Sequence, residues 1–143
     1  MTDNDNVIIS IKGSQVNAES GPEEMELVTP GRLVRDAQGR YTISYEESEL
    51  TGLEGTTTVL QIEGGRVTLL REGSVNSQMV FEEGRQHTSL YETPYGELSV
   101  DIQTSALRHN LGERGGIMEI QYSIAVEHTV TGRNSFKIRV KRK

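Results

Sequence analysis

Arg71, Glu47 and His87 carry charge where this 143-residue chain otherwise presents apolar strand faces. Arg71 follows Val67 and Leu69 at every second position, and Glu47 follows Tyr41, Ile43 and Tyr45 in the same way. Period-two alternation places such residues on one face of a strand. His87, Ser89, Tyr91 and Thr93 form one whole face of a further run, and the opposite face offers only Leu90 as an apolar side chain. With these faces turned inward, the interior holds a guanidinium, a carboxylate, an imidazole and several phenols. Buried charge is costly unless paired or solvated, so Arg71 must meet Glu47, another acceptor, water or a ligand anion. The chemistry this suits is recognition. Arg71 would grip a carboxylate or phosphate, with Tyr45, Tyr91 and His87 as orienting donors, Tyr41 and Glu47 on the same inner face, and Ile43, Leu69, Met79 and Phe81 as apolar wall. The plainer account is that Arg71 closes the end of the interior by stacking or pairing, or reaches water from a strand margin.

Catalytic patterns are thin. His87, His109 and His128 show no His-x-His or His-x3-His spacing, which leaves a metal site without its usual signature. No nucleophile elbow, phosphate-binding Gly-Lys-Ser/Thr loop or dinucleotide fingerprint occurs. The glycine-rich Gly112–Gly116 segment lacks the following helix that would aim backbone amides at a phosphate. An acid/base pair of Glu47 and His87 would be needed for hydrolytic or isomerising chemistry. The expectation is a protein without catalytic machinery and without a cofactor.

The C-terminal residues pose a separate question. Lys137, Arg139 and Lys141 share one strand face, with Arg142 and Lys143 beyond, and no acid falls between Arg133 and Lys143. Such a stripe can meet phosphates or an acidic protein surface. Lysines on an exposed strand are also a common defence against edge-to-edge aggregation, and the stripe lacks the interleaved aromatics that stack on bases, so the defensive account is preferred. A nucleic-acid or protein partner stays open. The overall charge of −6 argues against a surface wholly devoted to nucleic acid.

These residues need strands to place them. The segments Thr57–Glu63, Arg66–Glu72, Val75–Glu82, Gln86–Thr93 and Leu98–Thr104 are separated by Gly64-Gly65, Gly73, Gly84 and Pro94-Tyr95-Gly96, which is turn chemistry throughout. Met118–Val126 and Phe136–Val140 alternate cleanly, as do Val7–Ile11 and Tyr41–Tyr45. Met25–Thr29 and Arg32–Arg35, split by Pro30-Gly31, read as one bent or bulged strand. Ser105–Asn110 could hold a helical turn. Ser48–Gly55 and Asn110–Gly116 are longer gaps, of the kind that forms a mouth or lid at one end of a barrel. Nine or ten strand segments suffice for an antiparallel meander to close on itself. One domain over residues 1–143 is expected, with residues 1–6 flexible. Only 34% of residues are apolar and 5% aromatic, so the buried volume is small or shared with something polar. No long apolar run or basic-then-apolar leader is present, and cysteine is absent; a cytoplasmic chain without disulfides is expected, with no membrane contact.

The motifs Tyr41-Thr-Ile-Ser-Tyr45-Glu46, Gly55-Thr-Thr-Thr, Gly64-Gly-Arg-Val-Thr-Leu-Leu-Arg71-Glu-Gly73, Met79-Val-Phe81-Glu-Glu-Gly84, Tyr91-Glu-Thr-Pro94-Tyr-Gly96, Gly116-Ile-Met-Glu-Ile-Gln-Tyr122 and Asn134–Val140 occur in this order. As a set they resemble the DUF1934, or YwiB-like, family of bacterial proteins, over nearly the whole chain after Val7. The resemblance implies an all-β, calycin/lipocalin-like antiparallel barrel of about eight main strands. It implies no activity and supplies no site residues. The function expected from the residues is therefore a non-catalytic binder of a small amphipathic or anionic molecule in the lumen. The alternative is an interaction module built on the outer surface and the basic C-terminal strand. Ligand identity and oligomeric state are not encoded legibly.

Overall fold

The computed structural model describes residues 6–17, 21–48, 54–73, 76–93 and 96–143, with the side chains of residues 17, 21–23, 91–93 and 130–131 outside that description. Ten strands follow one another: β1 (Val7–Asn17), β2 (Gly21–Arg35), β3 (Tyr41–Glu46), β4 (Thr56–Glu63), β5 (Arg66–Gly73), β6 (Ser77–Glu82), β7 (Gln86–Thr93), β8 (Gly96–His109), β9 (Gly115–Val126) and β10 (Thr129–Arg142). The sheet order is β6-β5-β4-β3-β2-β1-β10-β9-β8-β7. Consecutive strands pair throughout except β6 with β7, and the first strand pairs with the last, so the meander becomes a nearly closed barrel. The wall has ten strands rather than about eight, because every alternating segment contributes to it.

The seam between β6 and β7 has no ladder among the described residues, and the tight turn joining them bonds to β8 instead. Gly84 N–H donates to the Thr104 carbonyl at 2.9 Å, and Thr104 N–H donates to that of Arg85 at 3.3 Å. Side chains hold the rest: His87 Nε2 lies 3.0 Å from Glu82 Oε1, and Leu107 N–H donates to Glu83 Oε1 at 3.3 Å.

Pro30-Gly31 marks the point where β2 changes partners. Residues Gly21–Gly31 pair with β1, whereas Arg32–Arg35 pair with β3. The Asn6 side chain continues the β1 ladder past its end: Leu33 N–H donates to Asn6 Oδ1 at 2.8 Å, and Asn6 Nδ2 donates to the Leu33 carbonyl at 3.0 Å. Gly31 is required by space, since a Cβ there would run into Ile9 Cδ1 and sit 2.7 Å from the Ser44 carbonyl oxygen.

Two expectations are corrected here. Ser105–Asn110 forms no helical turn: β8 runs on to His109 through a bulge between Thr104 and Ala106, and the extra residue resets the alternation so that both Thr104 and Leu107 are buried. The two long connections also do not share an end of the barrel. The 110–116 connection lies by the Gly64 end of β4, where His109 Nε2 is 3.1 Å from the Gly64 carbonyl, while the Ser48–Gly55 connection joins the Thr56 end. Residues 49–53 of the latter lie outside the described residues.

Toward the Gly64 end the interior is packed solid by Val7, Ile9, Leu33, Ile43, Ile62, Val67, Met118 and Ile120, all at most 3% exposed. Each such side chain stabilises the fold by about 1.5–3 kcal/mol relative to exposure. On the outside, Glu26, Lys12, Lys137, Glu119 and Arg108 lie side by side across five strands, with Lys12–Glu26, Lys137–Glu119 and Arg108–Glu119 contacts of 3.3, 3.6 and 3.7 Å. β10 is flanked on both sides by β1 and β9. The Lys137, Arg139 and Lys141 stripe is therefore not a guard on a sheet edge, as the sequence suggested, because closure of the barrel through the terminal strands leaves β10 no free edge.

Candidate functional site

Strand register sorts the inward residues of β3–β6 into rows two residues, or about 6–7 Å, apart. Below the buried Thr56, the first row toward the interior is Tyr45, Thr58, Arg71 and Ser77; the next is Ile43, Leu60, Leu69 and Met79; the one after is Tyr41, Ile62, Val67 and Phe81. Polarity thus falls from the mouth inward. The facing wall shows the same gradient, from Gln15, Asn134 and Tyr122 to Gly13, Phe136 and Ile120.

Between the walls lies a cavity of about 510 Å³, within the size range of small-molecule sites. Tyr45, Leu60, Leu69, Arg71, Met79 and Phe81 form one side, and Ile11, Tyr122, Ile124, Phe136 and Ile138 the other. It reaches solvent beside Gln15, Glu24 and Met25, which are exposed. Phe81, Tyr122 and Phe136 meet edge to face, with ring centroids 4.8, 5.7 and 6.0 Å apart, and their mutual contact shapes the inner part of the cavity. The barrel is therefore half plugged and half hollow.

The polar row sits at the head of this cavity. Glu47, one residue past β3, is anchored by its N–H to the Thr56 carbonyl at 2.9 Å, and its buried carboxylate accepts the Thr58 hydroxyl at 2.7 Å. Burial, and then the adjacent Glu47 carboxylate, push the Tyr45 phenol far above its ordinary value, so its proton is held at any physiological pH. Arg71 has a buried Nε with no hydrogen-bond partner among the described residues. Among the described residues the Arg71 guanidinium forms no ion pair, with Glu47 or any other carboxylate.

Of the inward residues expected from sequence, Tyr45, Arg71, Met79 and Phe81 come together on the cavity wall. Tyr41, Glu47 and His87 do not join them. Glu47 stands behind Tyr45 rather than on the cavity surface. Tyr41 is two rows deeper, half-buried against the core, with the Arg35 guanidinium 5.9 Å from its ring centroid. His87 is engaged with Glu82 at the seam. The Tyr91 side chain lies outside the described residues. Glu47 and His87 are thus not an acid/base pair, being held by different strands on opposite sides of β5. The other histidines are equally dispersed, His109 at the Gly64 carbonyl and His128 3.3 Å from Asp101. Among the described residues no group of three or more metal-ligating side chains forms. Tyr122 and Phe136 are cavity residues that alternation put on one strand face without showing their height in the barrel, and Gln15 and Asn134 are cavity residues that the sequence reading did not single out.

Comparison with known proteins gives a consistent picture. The chain is 26% identical over 113 residues to the "Uncharacterized beta-barrel protein YwiB" of Bacillus subtilis (strain 168), covering 79% of this chain and 78% of that one. It superposes on the crystal structure of the ywiB protein from Bacillus subtilis with a TM-score of 0.82 at 22% identity, covering 99% of this chain and 94% of the other. The family model described as a domain of unknown function, DUF1934, matches residues 9–138. The barrel, its meander order and this match agree that the chain belongs to the DUF1934 family.

Proposed function

We propose that the protein is a non-catalytic, cytoplasmic binder of a small amphipathic or anionic molecule. The ligand lies in the hollow half of the barrel, its anionic part at Arg71 and its apolar part against Leu60, Leu69, Met79 and the Phe81–Tyr122–Phe136 cluster. The observation that carries this reading is the unpartnered, buried Nε of Arg71 at the head of a largely apolar cavity. A buried donor without an acceptor costs about 1–3 kcal/mol, and a shift of the guanidinium toward a bound carboxylate or phosphate oxygen would recover it. Displacement of an environment-sensitive fluorescent probe by octanoate tests it. The expected result is saturable displacement that weakens at least tenfold in Arg71→Met; unchanged displacement in that variant, with the fold intact, rejects the reading.

A second reading draws on Arg139 and Lys141, which are exposed on β10 and form no ion pair among the described residues. They suit an anionic macromolecule docking on the outer wall. Electrophoretic retardation of labelled RNA or DNA that survives moderate salt would favour it over the lumen reading.

A further inference from the structure

We propose that the apolar part of the ligand is a flat ring system, an aromatic or heteroaromatic group lying on the bare β1 backbone at Gly13, between the Met25 and Phe136 side chains. This rests on the lumen-binding reading and names the chemical class of its ligand. Gly13 lies inside β1 on the cavity wall, and its cross-strand partners are Met25 on β2 and Phe136 on β10. A glycine inside a strand weakens it, having no side chain to pack and more freedom to lose. Neither backbone nor packing requires one here. Its φ is not positive, and both ladders run past it without a shift in register. A Cβ built on Gly13 meets only Met25 Cε, at an ordinary 3.8 Å.

What Gly13 leaves is a gap in the inner wall one side chain deep, with flat peptide groups as its floor. Around that gap the cavity gathers the side chains that suit rings. Both phenylalanines of the chain and two of its five tyrosines line this cavity, together with Met25 and Met79. Aromatic rings and the polarisable methionine thioether pack favourably against other rings. Phe81 is fully buried and meets Phe136 and Tyr122 edge to face, while those two keep part of their surface open. Met25 is 52% exposed at the mouth, an unbranched side chain able to fold over a group lying on Gly13. A ring lies flush on such a floor and meets Phe136 and Met25 at its edges. An acyl chain makes the same contacts there as anywhere else on the apolar wall.

The test uses the full chain and two monocarboxylates of similar apolar size, 2-naphthoate and octanoate, titrated by calorimetry. The expected result is 2-naphthoate about tenfold tighter than octanoate. Gly13→Leu, which fills the gap, should weaken 2-naphthoate by about tenfold or more and octanoate by no more than about threefold. Gly13→Ala should raise the melting temperature of the ligand-free protein by about 2–4 °C, because the glycine is kept for the ligand and not for the strand. The comparison in the unsubstituted protein decides even if Gly13→Leu does not fold. Octanoate as tight as 2-naphthoate, or tighter, overturns this inference and leaves the lumen reading standing. So does 2-naphthoate binding that survives in a folded Gly13→Leu, or a Gly13→Ala that melts lower because β1 needs the glycine to bend. Binding of neither acid removes the lumen reading itself.

Discussion

At the scale of single residues, the polar row makes opposite demands on its neighbours. Glu47 is buried and depends on its donors, and Thr58 is 1% exposed with its hydroxyl on that carboxylate. Thr58→Val keeps the shape and removes one donor, so it should destabilise the fold by about 1–3 kcal/mol, read from urea melts. Arg71→Met should be milder in stability and severe in ligand binding, because the guanidinium Nε has no protein acceptor to lose. The inward direction of Arg71, Tyr45, Met79 and Phe81 was legible from alternation alone, since period two fixes a face. The seclusion of Glu47 and the engagement of His87 were not, because both depend on partners from other strands.

At the scale of elements, the bend of β2 divides the sheet between two partners. Asn6→Ala removes both bonds to Leu33 and should cost about 1–2 kcal/mol, measured as a shift in the urea midpoint. Gly31→Ala should cost about 1–3 kcal/mol by overpacking, because Ile9 is fully buried and the Ser44 oxygen belongs to backbone. Pro30-Gly31 announced this kink in the sequence. The β8 bulge was unannounced: Ser105 differs little from its neighbours in propensity, and its displacement arises from fitting β8 to β9, where its hydroxyl donates to the Gln121 carbonyl at 3.2 Å.

At the scale of the whole molecule, closure is uneven around the barrel. Lys143 N–H donates to the Asn6 carbonyl at 3.2 Å, so the two ends of the described wall adjoin, whereas β6 and β7 share no ladder among the described residues. A circular permutant joining the ends and opening at Gly84 should therefore keep a native-like melting curve, and one opening at Gly65, within a paired hairpin, should melt lower. The seam also gives the molecule a pH dependence. Glu82 is held below the usual carboxylate range by its hydrogen bond to His87 and by the Arg66 and Arg85 charges. Its stabilising contribution is complete above the ordinary carboxylate pKa and is lost as pH falls through the depressed folded value. Glu82→Gln should consequently melt below the natural protein at neutral pH, with the gap narrowing in acid. The amino-acid sequence by itself determined the all-β meander, its turns and which side chains turn inward, because alternation and turn chemistry are local properties of the chain. Tertiary structure alone decided that the barrel is hollow only toward the Thr56 end, that β10 is no edge, and that Arg71 rather than Glu47 faces the cavity. Those outcomes depend on register between strands distant in sequence and on the depth at which each inward residue comes to rest.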